Sequence, residues 1–126
     1  MTSREQKVAI IVARYISEKY KCKVQPVKFN GDTFLYIHNR KLNLLITVCN
    51  TNKGRCIKIE EISIEKPYRN KGLCTDLINS IKEVSDEYGV TLGLWCEFDN
   101  KKLFNFYSRM GFKYIETIND DWLEYN

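Results

Sequence analysis

At 126 residues the chain suits one domain whose core can take up most of its apolar side chains. Its composition, 44% hydrophobic and 29% charged, is that of a globular protein, and no apolar run reaches the roughly 18 residues of a membrane span. The net charge of +4 is mild, and its basic residues are scattered without interleaved aromatics, which argues against a nucleic-acid partner.

The opening stretch, "MTSREQKVAIIVARYISEK", has charges on both sides of a short apolar patch and no small-residue cleavage site, so a cytoplasmic chain is expected. Val8, Ile11, Val12, Tyr15 and Ile16 repeat at helical spacing. A helix is therefore predicted over Ser3–Lys19, with Ser3 as N-cap and Gln6 three residues on. Val24–Phe29 reads as a short strand, followed by the hairpin signal Asn30-Gly31. Thr33–His38 and Leu42–Cys49 are rich in strand formers, and "NTNKG" marks another turn. "RCIKIEEISIE", Arg55–Glu65, alternates closely, but its phase changes between Ile59 and Ile62, as a β-bulge would make it do. Leu73, Leu77, Ile81, Val84 and Tyr88 form one helical stripe that Gly89 ends. "VTLGLWCEF" reads as a buried strand, Asn100–Met110 as a helix closed by Gly111, and "FKYIETI" and "DWLEYN" as strand-like pieces. This order predicts a single α/β domain over residues 1–126, with a mixed, largely antiparallel sheet flanked by helices.

Five cysteines stand at 22, 49, 56, 74 and 96, with no CxxC pair and one histidine, His38. Zinc-site spacings are absent, so no metal is expected. The odd count argues against a disulfide framework, and the cysteines read as reduced packing residues.

The stretch "KPYRNKGLCTDLI", Lys66–Ile78, puts an arginine, a lysine and a glycine where a strand turns into a helix. A helix N-terminus has unpaired N–H groups and a partial positive charge, and a glycine before it lets a ligand approach the main chain. Together they suit a phosphate or pyrophosphate. The GxxxxGK[ST] and GxGxxG patterns are both missing, which excludes the common nucleotide loops.

Within this stretch "RNKGLC" resembles the [RQ]xxGx[GA] loop of the GNAT acetyltransferase superfamily, and the preceding "ISIEKPY" looks like that family's fourth strand. Downstream, "NKKLFNFYSRMGF" resembles the family's "NxxAxxFYxxxGF", with Asn100, Phe106, Tyr107, Gly111 and Phe112 in register. The likeness runs from about Thr33 to the C-terminus. It implies an acyl-CoA N-acyltransferase fold with a shortened N-terminal region. It also implies acetyl-CoA as donor, held by the backbone of Ile62, Ser63 and Ile64 along its pantetheine arm. The loop Arg69, Asn70, Lys71, Gly72, Leu73, Cys74 and Thr75 would then hold the pyrophosphate, with Asn100 on the cofactor arm. Tyr107 is implied as general acid to the departing thiolate. The amine acceptor needs a base, for which Glu60, Glu61 and Glu97 qualify; "KIEE" resembles the "IED" of glucosamine-phosphate N-acetyltransferases. Read without the family, Tyr107 also suits a core aromatic, Asn100 a helix N-cap, and Glu60 and Glu61 a half-exposed strand.

Two positions depart from the family pattern. Cys74 replaces Gly or Ala, and Leu103 replaces a small residue after Asn100. One helix precedes the meander where the family usually has a strand and two helices, so the acceptor side is expected to be open or completed by a homodimer partner. The reading is an acetyl-CoA-dependent N-acetyltransferase acting on a primary amine of a small molecule or a protein. The alternative is a module of the same fold that has lost catalysis and acts through a partner protein.

Overall fold

The computed structural model describes residues 3–51, 53–96, 99–115 and 121–126. It begins with helix α1 (Arg4–Tyr20), whose N-terminus carries the predicted capping box. The Gln6 N–H donates to Ser3 Oγ at 3.1 Å and the Ser3 N–H donates to Gln6 Oε1 at 2.7 Å. Strands β1 (Lys23–Phe29) and β2 (Asp32–His38) form the predicted hairpin. Asn30 and Gly31 both take positive φ, 51° and 83°, the geometry of the two-residue turn whose twist matches the strands.

Strands β3 (Leu42–Thr51) and β4 (Gly54–Ile64) continue the antiparallel meander. Their register slips where it was expected to. Ile46 faces Ile59 but Leu45 faces Glu61, so Glu60 is the extra residue of a bulge. A 3₁₀ turn at Lys66–Tyr68, absent from the sequence expectations, leads to helix α2 (Leu73–Tyr88). Next come β5 (Leu92–Trp95), α3 (Lys101–Arg109), β6 (Lys113–Tyr114) and β7 (Trp122–Tyr125). Strand β5 is shorter than "VTLGLWCEF" suggested, and the Glu97–Phe98 part of that stretch lies outside the described residues. In "FKYIETI" the described strand is the two residues of β6.

The seven strands form one sheet in the order β1-β2-β3-β4-β5-β7-β6. All described pairings are antiparallel except that between β4 and β5, which involves only Ile57 with Leu92 and Lys58 with Gly93. Beyond Lys58 the two parallel strands part, so the Ile59–Ile64 half of β4 has no strand partner on its β5 side among the described residues.

Both parallel crossovers move in the same direction across the sheet. With the usual right-handed connection their helices lie on one face, and α1 packs there too. The core is the layer between these helices and the sheet: Val12 and Ile16 of α1, Leu77, Ile78 and Ile81 of α2, and Ile37, Leu44, Ile46, Ile57, Leu92 and Leu123 of the strands are all fully buried. Each such aliphatic side chain contributes about 1.5–3 kcal/mol by burial. No described helix is long and apolar enough to cross a membrane.

Candidate active site

Helix α2 starts without a side-chain cap. Gly72 holds the N-cap position at φ 80°, Asn70 before it is also left-handed at φ 62°, and the first intrahelical bond runs from the Asp76 N–H to the Gly72 carbonyl. The N–H groups of Leu73, Cys74 and Thr75 therefore have no helical acceptor. A Cβ built on Gly72 would meet nothing within 4 Å, so the space in front of this helix end is open.

A groove of about 350 Å³ opens there. It is lined by Ile62, Ser63 and Ile64 of β4, by Tyr68, Arg69, Asn70 and Gly72 of the loop, and by Leu73, Cys74 and Thr75 of α2. The structure thus brings together all but two of the expected cofactor residues. Lys71 stands exposed outside the groove lining, and Asn100 caps α3 by accepting from the Leu103 N–H at 3.3 Å. Arg69 is fixed to the strand, its Nε donating to the Ile64 carbonyl at 2.8 Å. Such a tether holds the cation at the junction of strand and loop. The unpaired half of β4 forms one wall of the groove, so its free main-chain edge and the free end of α2 face the same space.

Tyr107 comes from the single buried face of α3 and is 5% exposed, edge-on to Phe106 and Phe112. Burial, and then its neighbours Cys74 and Cys96, push its phenol pKa well above the ordinary tyrosine value. Tyr107 itself is not among the residues that line the groove. Burial also raises the pKa of the Cys74 thiol. Leu103, which was expected to narrow the cofactor's space, is 39% exposed.

The bulge turns both strand carboxylates away from the face of Ile62 and Ile64. Glu61 faces Leu45 across the ladder, on the side opposite Ile62 and Ile64, whereas Glu60 is the unpaired bulge residue. The face that Glu60 would share with Ile62 and Ile64 in a regular strand is lost for that reason. Lys58 holds the Glu60 carboxylate at 2.7 Å and also lies 5.8 Å from the centre of the Trp95 ring. The Glu61 carboxylate forms no ion pair or hydrogen bond among the described residues, neither carboxylate lines the groove, and Glu97 falls outside the described residues. His38 is a strand residue stacked on Tyr36. Among the described residues no group of three His, Cys, Asp or Glu side chains is placed to hold a metal.

Sequence reasoning passed over Tyr68, which lines the groove beneath the Lys41 ammonium, and Lys58, which engages Glu60. The first had a signal in "KPYR", an aromatic one residue ahead of the arginine. The second had one in "KIE", opposite charges two apart on a strand.

A model of the acetyltransferase (GNAT) family matches residues 34–112. A curated relative, an uncharacterised N-acetyltransferase of Methanocaldococcus jannaschii, is 32% identical over 77 residues, which are 60% of this chain and 34% of that protein. The chain thus matches about a third of that relative's length. Among solved structures, the PaiA N-acetyltransferase of Thermoplasma acidophilum, in complex with coenzyme A, superposes with a TM-score of 0.56 at 17% identity, covering 98% of this chain and 71% of that one. A GNAT-family acetyltransferase of Listeria monocytogenes also gives 0.56, at 13% identity, covering 99% and 91%. The parted β4 and β5, the uncapped glycine turn and the matched family segment agree: the chain belongs to the GNAT acetyltransferase family and has its fold.

Proposed function

We propose that the chain transfers an acetyl group from acetyl-CoA to a primary amine by direct attack of the amine on the thioester. The observation that carries this reading is the shared groove, where the open edge of β4 meets the uncapped start of α2. An extended pantetheine arm can add to Ile62–Ile64 as a further strand would, and the pyrophosphate can take the N–H groups of Leu73, Cys74 and Thr75. Arg69 supplies the neighbouring positive charge, and Lys71 at the rim screens the phosphates. Asn100 serves both as cap of α3 and as a contact to the cofactor arm.

Attack places negative charge on the thioester oxygen. A main-chain N–H released from the ladder at the Glu60 bulge is the group available to receive it. Collapse of the tetrahedral intermediate expels the coenzyme A thiolate, and Tyr107, kept neutral by burial, protonates it. Removing the amine proton falls to a strand carboxylate. Glu61 leads, because the Glu60 carboxylate is already engaged by Lys58.

The test is thiol release from acetyl-CoA across a panel of primary amines, from small polyamines and amino sugars to peptides. Acceleration of release by one amine class supports the reading and names the acceptor. Glu61→Gln should then lower kcat about tenfold or more, and Glu60→Gln less. Tight binding of coenzyme A with no amine-dependent release would instead leave a cofactor-holding module that works through a partner protein.

A further inference from the structure

We propose that Cys49 and Cys56 form a reversible redox site, a dithiol that closes to a disulfide when a hydroperoxide reaches Cys49. The two residues are direct partners across the antiparallel β3–β4 ladder, and their sulfur atoms lie 3.3 Å apart in the reduced protein. Directly opposed residues of an antiparallel pair have Cα atoms about 4.5–5.5 Å apart, inside the roughly 4.4–6.8 Å window that a disulfide spans. The bond can therefore close with little movement of the backbone.

The two thiols differ in a way that suits two successive steps. Cys49 is half-buried and reachable from solvent, whereas Cys56 is 1% exposed. The Cys56 thiol, donating to Cys49, and then the Lys58 ammonium favour the Cys49 thiolate against the opposing effects of burial, Glu124 and Glu60, and its pKa falls below the ordinary value. Cys56 is pushed the other way by that same hydrogen bond and by its burial. The more accessible sulfur, that of Cys49, is thus the attacking one, and the buried sulfur resolves.

In the first step the Cys49 thiolate attacks the O–O bond of the peroxide, giving a sulfenic acid and releasing hydroxide or an alkoxide. Then the Cys56 sulfur attacks the sulfenyl sulfur. The S–S bond forms, and the sulfenyl oxygen leaves as water with the Cys56 proton. Two electrons pass from the pair of sulfurs to the peroxide. A thiol reductant reverses the reaction by exchange. The disulfide would fasten β3 to β4 just ahead of the Glu60 bulge, on the strand that also carries Glu61.

Hydrogen peroxide added to the reduced full chain tests this. Free thiols counted under denaturing conditions should fall from the five of the sequence to three. A tryptic digest should join the Leu42–Lys53 peptide to Cys56–Lys58, and a thiol reductant should restore both. Cys56→Ser should leave Cys49 as a sulfenic acid that a dimedone-type reagent traps. Retention of all five thiols, bonding of another pair, or irreversible sulfinic acid at Cys49 would each overturn the proposal. The wild-type peptide map decides the matter if the serine variant does not fold.

Discussion

At the start of α1, Ser3 and Gln6 exchange hydrogen bonds that close the end of the helix. At the start of α2 there is no such exchange: a left-handed glycine stands where a cap would be, and the first N–H groups are left facing a groove. A side-chain cap is worth about 1 kcal/mol, so α2 forgoes a stabilisation that α1 takes. Its other end is well finished. Gly89 closes it in the left-handed conformation, and Arg4 Nη2 donates to the carbonyls of Tyr88 at 2.8 Å and Gly89 at 2.6 Å. Buried Leu77, Ile78, Ile81 and Val84 anchor the helix between these ends. The contrast teaches that α2 draws its stability from its flank and its C-terminus, while its N-terminus is left open onto the groove proposed for the cofactor.

The largest effect expected from breaking this arrangement is chemical. If the open end of α2 delivers a thioester to Tyr107, Tyr107→Phe should lower kcat about a hundredfold, while the dissociation constant for acetyl-CoA, measured by titration, stays within about twofold. Equal losses in binding and turnover would make Tyr107 a packing residue instead. Arg4→Ala attacks the closed end of α2. It should lower stability in urea by about 1–2 kcal/mol without weakening cofactor binding. Ser3→Ala opens the closed start of α1, and a loss of about 1 kcal/mol with unchanged cofactor affinity is the expected outcome.

A further effect, confined to alkaline solution, is a pH dependence. Tyr20, tied to Asp76 in the first turn of α2, has a pKa pushed up to about 12, by burial first and then by that hydrogen bond, and Tyr107 is raised as well. Unfolded tyrosine ionises near pH 10, so above that pH the unfolded state binds fewer protons than the native one, and stability falls as pH rises toward the folded values. Chemical denaturation at a series of alkaline pH values measures the slope. Tyr20→Phe should flatten it.

What was legible in the sequence is what local pattern dictates. The capping box at Ser3, the Asn30-Gly31 turn, the bulge at Glu60 and the span Leu73–Tyr88 each follow from a period or from turn chemistry within a few residues. That Arg69, Asn70 and Gly72 to Thr75 gather with Ile62 to Ile64 was expected only through their likeness to a family. Features set by long-range register were hidden. That Cys49 meets Cys56 depends on a turn and on the ladder beyond it, and that Lys58 takes up Glu60 depends on how the bulge aims the side chains. Tyr68 was missed because the 3₁₀ turn that carries it into the groove has no period of its own. The brevity of β5 was hidden too, because an apolar run does not reveal where its partner strands end.

The most direct test of the central claim is calorimetric titration of the protein with acetyl-CoA, alongside Gly72→Glu. At φ 80° a side chain at position 72 is strained, and a carboxylate there stands beside the N–H groups assigned to the pyrophosphate. The account predicts micromolar binding by the native chain and no detectable binding by the glutamate variant, with α2 still helical by circular dichroism. Equal affinity in the two proteins, or no binding by the native chain at millimolar acetyl-CoA, would contradict it.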